Sequence, residues 1–89
     1  MSRNLRQDLH LACKELKDRI ATFITNHHEK LDGELWDAME QETKILHYIK
    51  GLLVQEGNLT EQGLELVRMD IANSRTWFEE QLLSYNLDE

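Results

Sequence analysis

Apolar residues recur along the chain in steps of three and four. The first series starts at Leu5 and passes through Leu9, Ala12, Leu16, Ile20, Phe23 and His27 to Leu31. The second is Leu35, Met39, Leu46, Ile49 and Leu53, with Glu42 standing in one of the apolar slots. The third is Leu64, Val67, Ile71, Ser74, Phe78, Leu82 and Tyr85. This spacing places one narrow apolar stripe on each of three helices. No stretch alternates in the manner of a strand, and the sequence contains no proline.

The junctions carry matching start signals. Asp32 is placed to cap a helix, with Leu31 before it and Trp36 where the two can close a hydrophobic staple. Thr60 repeats the arrangement with Leu59 and Leu64. Gly57, after "LLVQE", suits the left-handed turn that ends a helix. The pattern therefore predicts helices over 4–30, 33–56 and 61–85. Short connections make neighbouring helices antiparallel. The expected fold is an all-α, up-down-up antiparallel three-helix bundle forming a single domain over residues 1–89.

Composition narrows the function classes. At 89 residues the chain buries only about 60–65% of its unfolded surface. The formal net charge of −7 opposes direct binding to nucleic acid or to an anionic membrane. Residues 1–31 carry six bases and four acids (+2), whereas residues 32–89 carry four bases and 13 acids (−9), which sum to −7. A single cysteine, Cys13, excludes an intramolecular disulfide. The opening "MSRNLRQDLH" lacks the apolar core of a signal peptide, and no apolar run is long enough to span a bilayer. A cytoplasmic protein is expected.

Side chains able to do chemistry are present without the company chemistry needs. His27 and His28 adjoin Glu29, but adjacent helical residues point about 100° apart, so both cannot face one ion. They suit the last turn of a helix, where positive charge is favoured. His10 and Cys13 form at most half a site, because His47 is too far along the axis in an antiparallel pairing. Cys13 borders the first stripe and reads as a small core-edge residue. Ser2, Ser74, Ser84 and Cys13 have no base at helical spacing and no glycine elbow. No enzyme, cofactor or metal site is expected.

Carboxylates concentrate in "LDGELWDAMEQE", residues 31–42. Asp32 and Glu34 are explained by capping and by the helix dipole. Glu42 lies on the stripe, and pairing the second and third helices sets it level with Arg75, which predicts an ion pair. Asp37 and Glu40 point outward at the bundle end that also receives Glu79 and Glu80, giving an acidic pole.

Off the stripes, the second helix shows Ile45, Tyr48 and Leu52, and the third shows Leu66, Met69 and Trp77 with Asn73 in the gap. The first has only Leu11. If the two flanks turn the same way, Tyr48, Leu52, Leu66, Met69 and Trp77 form one apolar strip, and exposed strips of this kind mark interfaces. The expected function is a non-enzymatic protein–protein interaction module, a small acidic helical adaptor or chaperone-like protein. Its partner would be a second copy of the chain or a basic protein. A rival reading makes the acidic pole an inhibitor that mimics nucleic acid and fills a basic groove.

Overall fold

The computed structural model describes residues 4–55, 59–85 and 87. Three helices follow one another: α1 (Leu5–His27), α2 (Gly33–Val54) and α3 (Glu61–Ser84). No strand occurs among the described residues, and none of these helices is long and apolar enough to cross a membrane. Each helix begins where a side-chain oxygen can take an otherwise unpaired amide. Asn4 accepts from the Arg6 amide at 2.9 Å, Asp32 from the Leu35 amide at 2.7 Å, and Thr60 from the Gly63 amide at 3.0 Å. The predicted boundaries overrun the helix ends by one to three residues. The chain leaves α2 at Gln55, whose backbone is extended; Gly57, expected to turn the chain there, lies outside the described residues.

The helices form a three-helix bundle measuring 43 × 21 × 18 Å. Two contacts fix α1 antiparallel to α2: Arg6 Nη1 donates to the Gln55 carbonyl at 3.1 Å, and the Cys13 thiol to the Leu46 carbonyl at 3.1 Å. The core joins Leu9, Cys13, Leu16, Ile20 and Phe23 of α1 to Leu35, Met39, Leu46, Ile49 and Leu53 of α2 and to Val67, Ile71 and Phe78 of α3. Phe23 and Phe78 meet edge to face, with centroids 5.6 Å apart. Both staples close: Leu31 is buried with Trp36 packed beside it, and Leu59 and Leu64 lie against the core.

Two stripe positions depart from expectation. Cys13 is fully buried rather than at the core edge, because α1 packs on both other helices and needs a wider apolar face. Tyr85 is 49% exposed, because α3 ends at Ser84 and Tyr85 already serves as its cap.

The three seams are unequal. Helix α1 packs most extensively on α2, less on α3, while α2 and α3 approach each other least. The bundle is thus open along the α2–α3 side.

Candidate docking groove between the second and third helices

At the open seam, two polar members of the apolar stripes face each other. Ser74 is buried, and its hydroxyl donates to Glu42 Oε2 at 2.6 Å. The expected Glu42–Arg75 ion pair is not formed. Each helical residue is rotated about 100° from its predecessor, so when Ser74 turns toward α2, Arg75 turns away from it toward the α1 side. Glu79, one turn beyond Arg75, confirms that direction by pairing with Arg19 of α1 at 3.5 Å. The axial level was right to one residue; the flank was not.

Around this pair lies a groove of about 420 Å³, lined by Glu42 and Ile45 of α2 and by Asp70, Asn73, Ser74 and Trp77 of α3. Ile45 and Trp77 supply apolar walls, Glu42 and Asp70 supply two carboxylates, and no base lines it. Two other depressions differ in this respect. One beside α1 and α2 holds Lys44 with Glu40, and one on α1 holds Arg19 with Asp18.

The five strip residues are distributed as follows. Trp77 lines the groove, half-buried and packed against the core. Leu52 is half-buried, while Tyr48, Leu66 and Met69 are 67%, 58% and 48% exposed. Leu66, Asp70, Asn73 and Trp77 recur in steps of four and three, so Leu66 continues the groove flank of α3. Leu52 stands seven residues from Ile45 and does the same on α2. Met69 is rotated about 100° from Asp70 and sits on the outer rim. Tyr48, three residues from Ile45, occupies the opposite rim. The single strip is therefore a groove with two rims. Ile45 was visible in the sequence beside the strip, 42% exposed as it proves. Asp70 escaped the sequence reasoning; its signal was its place four residues before Ser74, on the same flank.

The four carboxylates of the acidic pole are all exposed but not gathered. Glu40 accepts from the Trp36 indole at 2.7 Å on the α1–α2 side, and Glu79 pairs with Arg19 on the α1–α3 side. Asp37 and Glu80 have no ion pair among the described residues.

The histidines do not converge. The His27 ring stacks on Phe23 at 4.6 Å, and His28, beyond the helix end, meets the edge of Trp36 at 6.3 Å. Among the described residues, no three His, Cys, Asp or Glu side chains are placed to hold one metal ion. Burial pushes the Cys13 thiol above its ordinary range, outweighing the opposing pull of Lys17 and Lys50. Such a thiol is a poor nucleophile at neutral pH.

Comparison of the chain with protein-family models, with curated proteins and with solved structures gives no match.

Proposed function

We propose that the chain is a non-enzymatic protein–protein interaction module, a small acidic helical adaptor that holds a partner along the α2–α3 groove. The observation that carries this reading is the open seam itself. Two helices that could have closed over their shared flank instead leave Ile45, Leu66 and part of Trp77 in contact with water. Exposed apolar surface forgoes about 25 cal/mol for each Å² left unburied. Contiguous apolar grooves with polar floors are characteristic of binding surfaces. Tryptophan is also the side chain favoured at the energetic centre of interfaces.

The interior supports the non-enzymatic part. The cysteine is buried with a raised pKa, and the Ser74 hydroxyl is committed to Glu42. The scatter of Asp37, Glu40, Glu79 and Glu80 around the bundle end favours the groove over nucleic-acid mimicry, which needs charges in a row.

The test is Trp77→Glu, with circular dichroism to establish that the bundle is intact. Self-association of the wild type, measured by sedimentation, or capture of a partner by it, should be lost in the variant. A complex seated in the groove should withstand salt that dissolves one held by the outer carboxylates. A folded variant that self-associates and captures as the wild type does would sink the reading. So would a monomeric wild type that captures nothing.

A further inference from the structure

The chemistry of the groove specifies its occupant more closely. We infer that it seats an amphipathic helix from a basic partner, with an arginine entering between Ile45 and Trp77 to meet Glu42 and Asp70. This rests on the interaction-module reading and adds the nature of the partner.

Three observations select an arginine-bearing helix. The first is charge. The groove holds two carboxylates and no base, unlike the depressions beside Lys44 and Arg19, where acid and base occur together. Only Oε2 of Glu42 receives the Ser74 hydroxyl, so a carboxylate accepts from Ser74 and still has capacity for an incoming donor. The second is wall chemistry. An arginine has an aliphatic stem that suits Ile45 and a flat guanidinium that stacks on an indole while donating to carboxylates. The third is shape. Leu52 stands about 15 Å along the axis from Glu42 at 1.5 Å per residue. The flank is therefore long enough for a docked helix to anchor an apolar residue near Leu52 and Leu66 and its arginine near Trp77.

A second copy of the chain fits less well. A twofold contact along this groove would set Glu42 and Asp70 of each copy against those of the other, with no base in the lining to compensate.

A displayed library of helices with randomised faces, selected on the full chain, tests the inference. The comparison baits are Glu42→Gln/Asp70→Asn and Trp77→Glu. The amide introduced by Glu42→Gln keeps an acceptor for the Ser74 hydroxyl, so the double variant should fold as the wild type does. The expected result is enrichment of helices carrying arginine one or two turns from aliphatic anchors. Those helices should bind the double variant about tenfold or more weakly. In a Trp36→Phe background their binding should shift the fluorescence of Trp77. Enriched helices without a base, or equal affinity for the double variant, overturn the arginine inference and leave the interaction module standing. A wild-type dimer that Trp77→Glu abolishes and the selected helices cannot displace overturns it in favour of a second copy. If wild type and Trp77→Glu enrich the same pool, the inference and the interaction reading fall together.

Discussion

The Ser74 hydroxyl reaches Glu42 Oε2 at 2.6 Å, joining the two stripe positions that a purely apolar core would have filled with hydrocarbon. A buried hydroxyl stripped of its acceptor costs about 1–3 kcal/mol, softened where it can turn back to its own helix. Glu42→Ala should therefore cost about 1–2 kcal/mol in chemical denaturation, and Glu40→Ala, at an exposed site, no more than about 0.5 kcal/mol. A cycle of Glu42→Ala and Ser74→Ala should give a coupling of about 1 kcal/mol, whereas Arg75→Ala should be additive with Glu42→Ala. Coupling to Arg75 and none to Ser74 would restore the ion pair and overturn the observed flank.

How far the sequence was legible is clear from these same residues. The period of Leu35, Met39, Leu46, Ile49 and Leu53 locates α2, and all five are buried. Asp32 and Thr60 mark helix starts because the physics of a cap is local. Level also follows, since short connections fix how far antiparallel helices can slide. Rotation about each axis does not follow. It depends on how all three helices share one core, and a turn of about 100° separates Ser74, which meets Glu42, from Arg75, which does not. The same rotational freedom scattered the strip. Trp77 and Leu66 share the groove flank while Met69 faces outward, though all three are simply off-stripe in the sequence. The unequal seams were illegible for a further reason: nothing in a single stripe tells which two helices will part.

Gly51 lies inside α2, is exposed, and has no atom within 4 Å of the place a Cβ would occupy. An alanine there meets no obstruction and loses less backbone freedom on folding. Gly51→Ala should stabilise the chain by about 0.5–1 kcal/mol, seen as a raised melting temperature with unchanged helix content. Gly63→Ala should gain less, because its Cβ would approach Leu59 Cδ2 at 3.2 Å and disturb the staple. A larger gain at Gly63 than at Gly51 would show that the staple tolerates movement freely.

Cys13 makes stability depend on pH in a definite direction. Burial raises its thiol pKa in the folded chain, whereas the unfolded thiol titrates near its ordinary value of about 8.5. Between those two values the folded state retains a proton that the unfolded state has released. The stability tied to this group is therefore complete below the unfolded value and is lost as pH rises through the folded one. Cys13→Ser keeps a donor for the Leu46 carbonyl without titrating. Urea unfolding from about pH 7 to about pH 10 should show the wild type losing stability faster than the variant. Parallel curves would mean that the thiol is not held protonated by burial.

Helix α3 should be the first element to open. It is the longest of the three at 24 residues, yet its buried set is Val67, Ile71, Ser74 and Phe78, one of them polar, against five buried residues on each of α1 and α2. Its seam with α2 is the sparsest in the bundle. Detaching it exposes less apolar surface than detaching either neighbour, and local opening free energy follows that loss. Native-state hydrogen exchange should find the interior amides of α3 less protected than those of α1 and α2, each tenfold corresponding to about 1.4 kcal/mol. Filling the groove with an arginine-bearing helix ties Trp77 and Asp70 to α2 through the ligand, so protection should rise chiefly across residues 66–77. Equal protection of all three helices in the free chain would show that the bundle opens as one unit. The α2–α3 seam would then be open in shape without being weak.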